Sequence, residues 1–138
     1  MTFKKVYVCS PLSAPTAFAI KQNMLTAKEY MKIISKKLSC SAVAPHAYLP
    51  EFLDDNNPPE RSLGLSFGLA YLELCDALVI CGNRLSNGMK AEIKRAMERS
   101  IPVLLYPYDP SDEQPVFGGM KIVQGDDFLD LYLRKNYF

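Results

Sequence analysis

Apolar positions along the chain follow two rhythms, one of two residues or an unbroken run, the other of three and four. Lys5-Val6-Tyr7-Val8-Cys9 is a β-branched and aromatic run stopped by Ser10-Pro11, and it predicts a first buried strand. Two serines and two prolines then make Ser10 to Pro15 a loop. From about Thr16 to Leu38, Met24, Ala27, Met31, Ile34 and Leu38 recur at alternating intervals of three and four, the single stripe of an amphipathic helix. Ser41 to Pro45 predicts a weaker second strand that Pro45 ends. Between His46 and Pro59 the pattern is irregular, with one helical turn and then Asp54-Asp55-Asn56-Asn57-Pro58-Pro59. So long a segment in a compact domain reads as a functional loop or lid.

Periodicity returns in Glu60 to Cys75, a second helix opened by Pro59, with Leu65, Leu69 and Leu72 turned inward. Gly64 and Gly68, one turn apart, leave room there for a ligand or another backbone. Asp76 to Cys81 is an unbroken apolar run, as expected of a parallel strand covered on both faces. A third helix is expected from Ser86 to Arg99 and a fourth strand from Ile101 to Tyr106. A loop follows at Pro107 to Pro115, then a short strand at Met120 to Val123 and a last helix near Asp126 to Leu133. This order predicts an α/β fold: an open, mostly parallel sheet of four or five strands with helices on both faces, three layers in all. No repeat or linker interrupts it, so residues 1–138 read as a single domain.

Composition narrows the partners. A formal charge of +1 gives no electrostatic case for a nucleic-acid polymer or a membrane surface, and Lys28, Lys32, Lys36 and Lys37 read as a solvated helix face. The four cysteines include no C-x-x-C pair, so no structural metal is expected; Cys9 and Cys81 read as small core residues. With no leader sequence or membrane span visible, the chain reads as cytosolic with reduced thiols.

Ligands of such sheets bind at the carboxyl ends of the strands. Those ends carry Tyr7, Ser10 and Pro11 on the first strand, His46 and Tyr48 after the second, and Gly82, Asn83, Ser86, Asn87, Gly88 and Met89 after the third, backed by Glu92. A helix opening with Ser-Asn-Gly offers free backbone N–H groups to an anion. Gly64-Leu65-Ser66-Phe67-Gly68 has the G-x-S-x-G spacing but falls inside the second helix and not at the strand-to-helix elbow that a nucleophilic serine needs; no Walker loop or G-x-G-x-x-G is present, and no cofactor is expected. Carboxylate chemistry remains. Glu92 is placed to attack an anomeric carbon, Tyr7 to orient it, and Ser86 with the Gly88 N–H to anchor phosphate or hydroxyl.

On these residues the chain resembles the nucleoside 2-deoxyribosyltransferase superfamily, and most closely its bacterial and phage branch of unknown function. The resemblance rests on Cys9 to Pro11, Ala44 to His46, Phe52 to Asp55, Pro58 to Arg61, Gly64-Leu65 and Ser86 to Glu92, and spans residues 4 to 106. It implies a Rossmann-like (flavodoxin-like) fold, a homodimer or higher oligomer, and a nucleoside or nucleotide ligand. It implies an activity too: cleavage or transfer of an N-glycosidic bond with Glu92 as nucleophile. A serine in the phosphate cradle of the nucleotide hydrolases has its counterpart in Ser86, which points toward a nucleotide. The alternative is a non-catalytic binder or sensor of a nucleotide-derived ligand. Two departures stand out. Lys90 and Ala91 separate Glu92 from Gly88-Met89, turning it by about 200° on a helix, and Gly68 stands where the transferases carry an acid.

Several residues have a plain structural reading beside the functional one. Glu92 is a helix carboxylate near a positive dipole end, Tyr7 a core residue, His46 a hydrogen-bonded structural histidine, and Met89 core filling. Asp76 caps or ties a loop, Asp54 and Asp55 form Asx turns rather than a metal pair, and Glu60 with Arg61 forms an ion pair unless the arginine reaches a phosphate.

Overall fold

A computed structural model describes residues 2–82, 84–108 and 110, and the backbone of 121–123. The last helix expected near 126–133 lies outside the described residues. Five strands, β1 (Lys5–Cys9), β2 (Ser41–Val43), β3 (Ala77–Cys81), β4 (Val103–Tyr106) and β5 (Lys121–Val123), form one sheet in the order β2-β1-β3-β4-β5. The first four are parallel and β5 runs antiparallel against β4. Three helices connect them: α1 (Ala17–Leu38), α2 (Pro58–Leu72) and α3 (Asn87–Glu98). This is the flavodoxin-like α/β sandwich that the alternation of strand and helix implies.

Period-two alternation splits β1, β3 and β4 between two cores. Val6 and Val8, Ala77 and Val79, and Leu104 and Tyr106 pack with Ala27, Tyr30 and Ile34 of α1. Tyr7 and Cys9, Leu78 and Ile80, and Val103 and Leu105 pack with Leu72 of α2 and Met89, Ile93 and Ala96 of α3. Tyr7 therefore belongs to the layer that holds Glu92, on the opposite side of the sheet from α1. The stripe that α1 buries is Ile20, Met24, Ala27, Tyr30 and Ile34. Tyr30 takes the place that spacing alone gave to Met31, because its ring meets Tyr106 edge-on and its hydroxyl donates to the Tyr108 carbonyl at 2.9 Å.

Helix ends follow their capping chemistry. Thr16 accepts from the Ala19 N–H and Asn57 from the Glu60 N–H, so α2 starts with Pro58 and Pro59 in its first turn, where a missing N–H costs nothing. Asp76 accepts from the Lys4 and Lys5 N–H groups at 2.7 and 3.0 Å, bonds that hold its carboxyl below the usual range. It ties β1 to β3 at their amino ends, away from any ligand. Asp54 accepts from the Asn56 N–H at 2.9 Å, an Asx turn. The segment between β2 and α2 forms two 3-10 turns, Pro45–Ala47 and Leu49–Glu51, and only Ala47 among their residues is buried.

Candidate active site

The sheet order reverses between β1 and β3, because the connection through α1 leaves toward β2 and that through α2 toward β3. That switch point, at the carboxyl edge, is where an open sheet leaves a crevice. A cavity of about 60 Å³ lies beside it, on the α2 and α3 side. Tyr7 rises into it from β1, His46 from the first 3-10 turn, and Glu92 from α3. Leu12, Leu49, Leu53 and Leu65 form its apolar wall, and Asp55, Glu60 and Arg61 its charged part.

Glu92 reaches the cavity because α3 begins at Asn87. Met89, Glu92, Ile93 and Ala96 then share the face turned to the sheet, and Lys90 and Ala91 are absorbed into the first helical turn. Its carboxyl is buried among apolar groups and is pushed up to about 8 by desolvation, with a hydrogen bond from Tyr7 opposing that rise. Tyr7 in turn is held well above its usual range, first by burial and then by the neighbouring Glu92. The Cys9 thiol approaches Glu92 Oε1 at 4.0 Å and the Met89 carbonyl at 3.9 Å. Glu92 Oε2 is buried and has no hydrogen-bond partner.

His46 retains some exposed surface, but its ring nitrogens are enclosed. Nε2 meets Ser10 Oγ at 2.7 Å, and Nδ1 has no partner. Burial lowers its pKa to about 4, so the ring is neutral at pH 7. Two unsatisfied polar atoms, His46 Nδ1 and Glu92 Oε2, thus belong to side chains that line one cavity. Buried polar atoms are almost always paired, and a ligand that hydrogen-bonds both would satisfy the deficit.

Gly68 explains why α2 comes so close. A Cβ built there would lie 2.9 Å from the Tyr7 hydroxyl, so the missing side chain is the space that the tyrosine occupies. An acid at this position would displace Tyr7. Arg61, Gly64, Leu65 and Gly68 recur at three, one and three, a helical face turned to the cavity. This corrects the inward role given to Leu65, which is 38% exposed at the cavity rather than packed in the core.

The cavity gathers Tyr7, His46 and Glu92, with Ser10 behind the histidine. The other sequence candidates lie elsewhere. Ser86 is the N-cap of α3, its Oγ accepting from the Met89 N–H at 3.3 Å, while its own N–H points at the Met89 sulfur at 3.4 Å. Met89 is buried in the core. Gly88 abuts Leu65, and Asn87 is exposed in the first turn of α3. Gly82 has a φ of 94°, a conformation suited to glycine, and faces Tyr30 on the α1 side. Pro11 is half-buried outside the cavity lining. Tyr48 is 46% exposed beneath the Lys28 ammonium, on a separate groove. Asn83 lies outside the described residues. Residues that sequence reasoning did not assign to the site, Leu12, Leu49, Leu53, Asp55 and Glu60 among them, come mainly from the irregular segment and the start of α2. The composition of that segment was the available signal.

Among the described residues no group of three or more His, Cys, Asp or Glu could hold a metal ion. The four cysteines are free thiols, three of them buried, and no described helix is long and apolar enough to cross a membrane.

Sheet order defines the class, a flavodoxin-like α/β fold, and that fold is similar to a deoxyribosyltransferase's. A solved 2-deoxyribosyltransferase from the psychrotolerant bacterium Bacillus psychrosaccharolyticus, a biocatalyst for the synthesis of antiviral and antitumoral nucleosides, matches it with a TM-score of 0.55. The two are 16% identical, over 80% of this chain and 76% of that one. The chain itself belongs to DUF7768, a domain of unknown function, whose family model matches residues 4–106. No curated protein matches it.

Proposed function

We propose that this domain binds a nucleoside or nucleotide and cleaves or transfers its N-glycosidic bond, with Glu92 as the nucleophile. The observation that carries the reading is a buried carboxyl with an unpartnered oxygen, Oε2, on a cavity at the sheet's switch point. In the first step Oε2 bonds to the anomeric carbon as the C–N bond breaks, and the base leaves with the electron pair and gains a proton. Water or a second base then takes the sugar and frees the carboxylate. Tyr7 holds the carboxyl in place by its hydrogen bond. Neutral His46 offers Nδ1 as a hydrogen-bond partner for the ligand.

A carboxyl pushed up to about 8 is mostly protonated in the empty cavity at pH 7, whereas a nucleophile must be ionised. Positive charge developing on the sugar favours the carboxylate at the moment of reaction, so kcat/KM should rise with pH through about 8. The second reading is a non-catalytic binder or sensor. It is favoured by the same neutrality, since uncharged Glu92 and His46 can hold a ligand by hydrogen bonds alone.

A cavity of about 60 Å³ holds roughly two waters at ~30 Å³ each, and is too small for a nucleoside. Entry requires the 45–57 wall to move outward. Room exists on its far side, where an open groove of about 470 Å³ separates it from α1. A homodimer or larger assembly belongs to the same reading. It is supported by α2, whose Leu63 and Phe67 are 60% and 50% exposed and which carries no charge from Ser62 to Leu72, and by Leu74 just beyond its end, 72% exposed. The deciding experiment screens nucleosides and 5′-monophosphates for free-base release beside Glu92→Ala. Release by the wild type and not by the variant is expected. Binding without release in the wild type would establish the sensor reading, and equal release by both would remove Glu92 from the mechanism.

A further inference from the structure

The cavity has a sign. Among the described residues that line it, Asp55 and Glu60 are acidic and Arg61 is the one cation, so its formal charge is −1 with Glu92 and His46 neutral. Arg61 already faces a carboxylate, its guanidinium 3.9 Å from Asp55 Oδ2, so its charge is largely offset there. The same oxygen of Asp55 accepts from Ser13 Oγ at 2.9 Å, which holds the carboxylate at the closed cavity, where an entering ligand first meets it; its side chain is only 12% exposed. The anchor that would offset these acids is missing. None of the described residues between Gly82 and Ala91 lines the cavity, and the Ser86 hydroxyl is occupied in capping α3. A phosphate entering here would meet two carboxylates, and the N-terminus of α2 beside them has no free N–H to offer, since Pro58 and Pro59 have none and those of Glu60 and Arg61 bond to Asn57.

We propose that Asp55 and Glu60 are specificity residues that reject anions, so that the cavity takes an uncharged nucleoside and excludes its 5′-phosphorylated form. The proposal rests on the nucleoside reading above and reverses the preference for a nucleotide that Ser86 suggested. At separations of several ångströms in a partly solvated site, one unit charge changes a phosphate's affinity about threefold to tenfold, and salt weakens the effect.

The test is calorimetry at low salt with matched pairs: adenosine and its 5′-monophosphate, deoxyuridine and its 5′-monophosphate. The proteins are the wild type, Glu60→Gln and Asp55→Asn/Glu60→Gln, with free-base release followed in parallel. Glu60→Gln serves as the mild variant, since only the Glu60 backbone N–H takes part in capping α2. The wild type should bind each nucleoside at least tenfold more tightly than its monophosphate. Glu60→Gln should narrow that gap about threefold, the double variant should narrow it further, and 0.5 M salt should act in the same direction. Monophosphates bound as tightly as nucleosides by the wild type would overturn the proposal while leaving the nucleoside reading intact. A gap that neither variant moves would also overturn it. Binding of neither series, with no base released, would overturn the nucleoside reading and this proposal together.

Discussion

Replacing Glu92 by glutamine removes a buried carboxyl whose ionisation folding opposes, and the consequence is a change in how stability depends on pH. Folding raises this carboxyl from an ordinary 4.5 to about 8, because burial penalises the charged form more than the Tyr7 hydrogen bond favours it. Below pH 4.5 both the folded and the unfolded chain hold the proton, and the group costs nothing. Between 4.5 and about 8 the unfolded chain has lost the proton and the folded chain retains it, so stability falls as pH rises; above about 8 the loss is complete. At roughly 1.4 kcal/mol per pH unit the full loss is about 5 kcal/mol, a ceiling that water entering the cavity would lower. Against the ~5–15 kcal/mol typical of a whole domain, such a term decides whether the protein stays folded at alkaline pH. His46 works in the opposite direction, since its depressed pKa withdraws stability as pH falls from 6.5 toward about 4. The wild-type curve mixes both terms, and the difference from Glu92→Gln isolates the glutamate. Urea unfolding of both proteins from pH 5 to 9 at fixed salt should show the wild type losing several kcal/mol relative to the variant. Parallel curves would refute the burial argument, and with it the claim that this carboxyl meets a dry cavity.

Three further outcomes follow from the same geometry. Gly68→Ala places a methyl 2.9 Å from the Tyr7 hydroxyl; overpacking costs about 1–3 kcal/mol and helix propensity returns up to ~1, so urea unfolding should show only a small net loss. The Glu92 midpoint, read by carboxyl NMR, should rise in Gly68→Ala and in Tyr7→Phe alike; an unchanged midpoint would detach Tyr7 from the carboxyl. Ser13→Cys/Asp55→Cys joins side chains now hydrogen-bonded at 2.9 Å, so the oxidised protein should lose nucleoside binding in calorimetry and regain it on reduction; equal binding in both states would mean that the 45–57 wall does not open. Leu63→Glu/Phe67→Glu should convert an oligomer to a monomer by light scattering, and a wild type already monomeric at high concentration would disprove a role for the exposed face of α2.

What could be read from the sequence followed from periodicity. Each strand from β1 to β4 is a short apolar run between turn residues, and the stripe of α1 fixed the first crossover, so the parallel order was within reach. The meeting of Tyr7 and Glu92 at one cavity was within reach because both lie near the carboxyl edge of a parallel sheet, whereas core or helix-surface roles fitted them equally well. The cavity's remaining wall was not, for a physical reason. The segment from Pro45 to Asn57 has no repeating pattern, and its inward residues Leu49, Leu53 and Asp55 are chosen by tertiary placement. Ser86 illustrates the converse. Its position beside Gly88 fits a phosphate anchor and a helix N-cap equally well, and only the 3.3 Å contact to the Met89 N–H distinguishes the two.

Burial of Glu92 links stability and reactivity through one proton. A carboxylate stripped of water and held by Tyr7 is a stronger nucleophile than a solvated one, and the same dehydration keeps it protonated at neutral pH. If Glu92 attacks the sugar, the rising limb of kcat/KM against pH and the end of the stability loss report the same equilibrium in the free protein, and both should fall near pH 8. If it donates its proton to the departing base instead, kcat/KM should fall through that pH while the stability curve stays as it is. The unfolding experiment locates the proton and the rate profile shows whether the reaction needs it. Agreement in midpoint with a rising limb assigns Glu92 as nucleophile; a falling limb at the same midpoint assigns it as general acid. A rate indifferent to pH around 8 would leave the carboxyl as a binding group alone.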